Sequence, residues 1–250
     1  MNKLSRRSFV ASQTACLCLL QGAQTGSEMP SAVSQTPQAK WPQEVAGIRL
    51  PDSKFPKIAV EALLDNSPAY LVNHALRTFY FGALIGRQTK TTCDMELLFL
   101  ACALHDLGLT PKHAGKLPFE IQGAQAARLI LSSAGFPAEK TQIVWDGIAM
   151  HPHAMSEFRQ PEVALVAAGA GADVVGGGME GLTRADIQAV LNAFPRLDFK
   201  RQFVRTCADI ANRYPGAAKR TFMRDIAERT NPAYRVSNIC DAIEAAPFTD

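Results

Sequence analysis

From residue 57 onward, apolar positions recur at three- and four-residue intervals, and strand-like alternation is scarce. The periodicity predicts helices over residues 67–86, 94–106, 118–134, 139–151, 161–175, 183–193, 200–213 and 217–229. Proline and glycine punctuate them. Ser67 suits an N-cap, with Pro68 in the first turn behind it. Gly108, Gly135 and the run Gly176-Gly177-Gly178 suit helix ends, and Pro152 stops the fourth helix. Thr183 with Asp186 resembles a capping box. No internal repeat stands out. The expectation is an all-α domain of about eight helices over residues 41–250.

The polar interruptions of this pattern carry the chemistry. In ACALHDLGLT, residues 101–110, an apolar run ends in His105-Asp106. Leu98, Cys102 and His105 follow i, i+4, i+7 spacing, so His105 continues a buried stripe. Leu71, His74 and Thr78 form a similar stripe on the first helix, Val144, Ile148 and His151 on the fourth, and Val166, Ala170 and Asp173 on the fifth. Four helices each aim an ionisable group inward. Burying such a group without a partner costs several kcal/mol, roughly. Taken singly, each reads as a hydrogen-bonded core residue. Taken together, they are most simply reconciled by one metal ion. His74 and His105 supply nitrogens, Asp106 and Asp173 supply carboxylates, and that mixed set suits Zn²⁺ first, with Fe²⁺ or Mn²⁺ also accommodated.

The order His74, His105-Asp106, Asp173 on successive helices resembles the HD-domain superfamily of metal-dependent hydrolases. Flanking phrases narrow the resemblance: Asn73-His74-x-x-Arg77, Pro118-Phe119-Glu120, Trp145-Asp146-Gly147-Ile148-Ala149-Met150-His151, Gly171-Ala172-Asp173, and Phe194-Pro195-Arg196 with Phe199-Lys200 are similar to the cyanamide-hydratase-like branch. The resemblance runs from about Trp41 to the C-terminus. It implies an HD-domain helical bundle and one metal ion bound by His74, His105, Asp106 and Asp173. One departure is Met150-His151-Pro152-His153, where family members commonly read Leu-His-Thr. That change points to a pocket shaped for a different substrate.

The reaction implied is hydration or hydrolysis of a small molecule, with metal-activated water attacking a nitrile or related carbon–nitrogen centre. His151 is the first candidate for proton transfer because imidazole titrates near neutrality, with support of the metal site as its plainer role. Glu120 is a second candidate, or else an acid favoured by its helix N-terminus. Arg77, one turn from His74, could hold Asp106 or a substrate anion. Lys112, His113 and Lys116 either line a pocket mouth or form a solvated loop. Two alternatives stand beside the hydratase. One is a phosphohydrolase acting on a phosphomonoester or nucleotide, for which basic charge is sparse. The other is a non-catalytic, metal-stabilised binding protein, which would be expected to have lost a ligand.

Composition adds two points. With 47% hydrophobic and 20% charged residues over 250 positions, the chain has an ordinary globular balance. Its net charge of +3 equals the contribution of Lys3, Arg6 and Arg7, so the rest is balanced and carries no footprint for nucleic acid. Those three lie in Ser5-Arg6-Arg7-Ser8-Phe9-Val10, followed by a mildly apolar stretch too short and polar to span a bilayer. This resembles a twin-arginine export signal over residues 1–27, with a polar linker over 28–40. The partners implied are the twin-arginine machinery and a small-molecule substrate, and the destination is the periplasm or the exterior, with the cytoplasm as the alternative. No Cys-x-x-Cys pair occurs; Cys102 reads as core, and a Cys207–Cys240 disulfide is left open. The glycine run at 176–178 lacks the Lys-Ser/Thr ending of a phosphate loop. Phe79, Tyr80 and Phe81 read as core.

Overall fold

The structure, a computed structural model, describes residues 41–236 and 238–248. The export signal and linker expected over residues 1–40 lie outside the described residues. A two-residue antiparallel hairpin, β1 (Glu44–Val45) and β2 (Ile48–Arg49), opens the described chain. It turns through positive φ at Ala46 and Gly47. Everything after it is helical or connecting: α1 (Lys54–Asn66), α2 (Ala69–Thr89), α3 (Met95–Leu104), α4 (Phe119–Ser133), α5 (Ala138–Met150), α6 (Pro161–Val175), α7 (Arg184–Ala193), α8 (Phe199–Arg213), α9 (Pro215–Ala218), α10 (Met223–Thr230) and α11 (Ile239–Glu244). Short 3-10 turns occupy Leu107–Leu109 and Ala154–Phe158. The all-α expectation is met.

The local signals explain most boundaries. Asp94 caps α3 by accepting from the amides of Glu96 and Leu97. Thr183 caps α7 by accepting from Asp186. Gly176 ends α6 in the left-handed conformation at φ 80°. The helix predicted over 67–86 is α2, which starts two residues later and runs one turn further, to Thr89. The helix predicted over 217–229 is instead two, α9 and α10, because the chain breaks at residues 219–222 and turns Phe222 toward Phe119 and Phe203. α1 and α11 were not predicted.

The end of α3 departs from the prediction in a way that matters for function. The helix stops at Leu104, and Gly108 is not its terminator. His105 keeps helical angles, but Asp106 turns to φ −102° and ψ 12°, and a 3-10 turn follows. Gly108 is needed instead for contact. A Cβ there would lie 1.9 Å from the Phe119 carbonyl oxygen, so only glycine lets this turn lie against the start of α4.

Two apolar clusters form the interior. The larger holds Phe79, Tyr80 and Phe81 of α2 with Leu98, Phe99, Ile148 and Val166. The smaller gathers Leu71, Phe119, Phe199 and Phe203. Among the described residues, α2 and α6 make the most extensive helix contact. Gly169 permits it, since a Cβ there would lie 2.1 Å from the Thr78 carbonyl oxygen. This close crossing sets Asp173 beside His74 and Arg77. Cys207 is buried and Cys240 exposed, and both thiols are free, so these two residues form no disulfide. No helix among the described residues is long and apolar enough to cross a membrane.

Candidate metal centre

His74 projects from the middle of α2, and His105 and Asp106 from the end of α3; all three are buried. Adjacent residues on a helix diverge by about 100°. The unwinding after His105 removes that divergence. His105 Nε2 and Asp106 Oδ2 come within 3.3 Å, and His74 Nε2 lies 3.2 Å from the first and 3.4 Å from the second. Three ligand atoms thus converge, a spacing that could hold a metal ion.

The hydrogen bonds behind these atoms decide their character. His105 donates from Nδ1 to the Cys102 carbonyl at 2.8 Å, and His74 donates from Nδ1 to Asp173 Oδ2 at 2.6 Å. In the neutral rings, both Nε2 atoms therefore carry lone pairs. Asp106 Oδ2 is buried and receives no hydrogen bond. Three acceptors facing one another repel unless a positive charge sits among them. The residues therefore fit a cation. Burial draws the His74 pKa down, but Asp106 and Asp173 outweigh it and hold it above the ordinary value. Burial pushes Asp106 up, but His105 and His74 bring it down to about 2, so it is a carboxylate at neutral pH.

Asp173 does not join the trio. Its oxygens accept from His74 Nδ1, from Arg77 Nε at 2.7 Å and Nη2 at 2.8 Å, and from Arg196 Nη1 at 2.8 Å. Asp173, expected as a fourth ligand, has both oxygens engaged by these donors, and its bond to Nδ1 orients His74. The reading of Arg77 changes likewise. It is fully buried, holds Asp173 rather than Asp106, and spends its remaining donors on the Phe194 and Pro195 carbonyls. It is not among the residues lining the cavity. Arg196, which sequence reasoning passed over as a partner of Asp173, lies with Arg77 over the Phe199 ring at 4.7 and 5.5 Å.

His151, at the end of α5, stands beside the trio. It donates from Nδ1 to the Ile148 carbonyl at 2.7 Å, and its Nε2 is 3.9 Å from Asp106 Oδ1. Burial, followed by the neighbouring His105, lowers its pKa to about 3, so the ring is neutral at neutral pH. Glu120 is not at the cavity wall. It lies buried behind His153, whose Nε2 donates to Glu120 Oε1 at 3.2 Å, while Oε2 is unpartnered. Burial raises the Glu120 pKa. His153 itself lines the cavity. Its only signal in the sequence was the departure from the Leu-His-Thr pattern. Lys112, His113 and Lys116 are not among the lining residues.

Comparison with known proteins agrees with this geometry. Residues 71–172, spanning His74 through the last turn before Asp173, match the HD domain family. Two cyanamide hydratases of Saccharomyces cerevisiae, DDI2 and DDI3, are each 26% identical over 182 residues, covering 70% of this chain and 80% of each relative. The HD-domain match and the likeness to these two hydratases support a metal-dependent hydrolase or hydro-lyase of the HD superfamily.

Proposed function

We propose that the protein adds water across a carbon–nitrogen multiple bond of a small, uncharged molecule, as a nitrile hydratase of the cyanamide-hydratase kind. The carrying observation is the convergence of His74 Nε2, His105 Nε2 and Asp106 Oδ2 at the floor of a cavity that no lysine or arginine lines. A phosphate ester would find no lysine or arginine there to fork onto its oxygens. The nearest arginines, Arg77 and Arg196, are committed to Asp173.

His74, His105 and Asp106 would hold one divalent ion. Zinc suits this nitrogen–oxygen set best, with iron or manganese separable from it by metal analysis. When bound, such an ion acts as a Lewis acid and lowers the pKa of water from near 16 toward about 7. Asp173 keeps the His74 lone pair aimed inward. His151 Nε2 accepts a proton from the attacking water, because its Nδ1 is already committed to Ile148. His151 then gives that proton to the nitrile nitrogen, while His153, bonded to Glu120, lines the same cavity.

Purified protein should contain about one equivalent of metal, and His105→Ala should lose it. Retention of metal by that variant refutes the ligand assignment. With metal present, hydration of nitriles supports the reaction assigned. Turnover of phosphate esters alone overturns it. We further propose that Arg6-Arg7 directs export to the periplasm through the twin-arginine route.

A further inference from the structure

The cavity above the trio measures about 510 Å³. That is far more than a molecule of a few atoms such as cyanamide fills, and lies within the range of about 300–1,000 Å³ that houses larger organic ligands. The spare room has a definite shape. α6 turns one face of small residues toward it, and Ala164, Ala167, Ala168 and Gly171 leave space where larger side chains would close the cavity. The same cavity is lined by Phe203 and Phe222, stacked with centroids 6.2 Å apart and planes 18° apart. Phe119 packs edge-on against Phe222 at 5.6 Å and holds it there.

The mouth continues the same chemistry. Val175 lines it and is largely exposed, and Phe222 is partly exposed. The segment Ala154–Phe158, which contributes Ala154, Ser156 and Glu157 to the wall, also exposes Met155 and Phe158. Apart from its histidines, the cavity's ionisable lining groups are Asp106 at the floor and Glu157 near the rim. Away from the trio, the cavity therefore offers mostly apolar surface to whatever is attached to the reacting group.

We propose that the substrate is an organic nitrile bearing an apolar substituent of aryl size. Its C≡N group meets the trio, and its ring lies between the small face of α6 and the Phe203–Phe222 pair. This rests on the nitrile-hydration reading above. In the reaction, the oxygen of water bonds to the nitrile carbon while one π pair takes a proton at nitrogen, giving the imidic acid; its O–H pair then becomes the C=O π bond as the remaining C=N π pair takes the second proton. The product is the primary amide, with no change of redox state and no further reactant.

The test uses the metal-loaded full chain with benzonitrile, acetonitrile, cyanamide and phenyl phosphate. Burial of one ring predicts kcat/KM for benzonitrile on the order of 100-fold above that for acetonitrile, with cyanamide also below benzonitrile. Ala167→Leu, which fills the wall, and Phe222→Ala, which removes an exposed part of the aromatic lining, should each lower the benzonitrile-to-cyanamide ratio about tenfold or more. Binding gives a readout apart from turnover: benzamide should bind the metal-free protein on the order of 100-fold more tightly than acetamide. Equal or better turnover of cyanamide overturns this proposal and leaves nitrile hydration standing. Equal benzamide and acetamide affinities, or a ratio unmoved in both variants, also overturn it. Turnover of phenyl phosphate with no nitrile hydration overturns the hydratase reading itself, and this proposal with it.

Discussion

Each histidine of the centre is defined by what its Nδ1 touches. Cys102 and Ile148 offer backbone carbonyls from the same helical turn, so His105 and His151 present Nε2 lone pairs by local geometry alone. His74 obtains the same result from a distant partner, Asp173. His151 stands apart from the trio, so His151→Ala should lower turnover by about 10²–10⁴-fold while metal content, read by elemental analysis, stays at one equivalent. Loss of metal in that variant would make His151 a ligand instead. Arg77→Met removes one of the two cations holding Asp173, and the loss of a partner from a buried ion pair costs about 3–5 kcal/mol. Urea denaturation should show a lower midpoint at an unchanged slope, the product of slope and shift giving a loss of that size. The motif His74-x-x-Arg77 was legible in the sequence, but its meaning was not. Spacing shows that two residues share a helix face; it does not show that Arg77 reaches across to α6.

Helices α2 and α6 act as a pair of rails for the site. One carries His74 and Arg77, and the other carries Asp173 and the small face of the cavity. Their separation is set where Gly169 meets the Thr78 backbone. Gly169→Ala forces that crossing apart and should cost about 1–3 kcal/mol in calorimetric or chemical unfolding, together with a weaker hold on metal as Asp173 draws back from His74. Helix content and most helix ends were readable from period, caps and glycines. The end of α3 was not, because the apolar pattern runs on unbroken through His105 while the backbone has already begun to turn. The hidden requirement there is the contact of Gly108 with α4. Likewise α9 and α10 look continuous in sequence, and the aromatic contacts of Phe222 accompany the break between them.

For the molecule as a whole, the buried polar cluster should set the response to acid. Burial pushes the Asp173 carboxyl up, but hydrogen bonds from His74 and Arg77 prevail and hold it well below the usual carboxylate range. A group depressed on folding stabilises the fold fully above its unfolded pKa, about 3.9, and loses that contribution as pH falls through its folded value. Stability should therefore drop steeply below about pH 4. The drop should be shallower in Asp173→Asn, which starts from a lower stability at pH 7. Urea midpoints measured from pH 7 to pH 2 check both. Export belongs to this scale too: replacing Arg6 and Arg7 with lysine should retain the protein in the cytoplasm, as read by cell fractionation, and unchanged export would exclude the twin-arginine route.

The sequence by itself determined that this is a helical protein and that four of its helices each aim an ionisable residue inward, His74, His105 and Asp106 among the residues it grouped together. Those properties follow from periodicity and from the cost of burying polar groups, and both are written locally. Only the tertiary structure decided that Asp173 faces His74 and two arginines rather than the centre, that His153 and Glu120 form a pair, and that small residues of α6 leave a cavity against Phe203 and Phe222. Each depends on how closely two distant backbones approach, a distance that no spacing along the chain encodes.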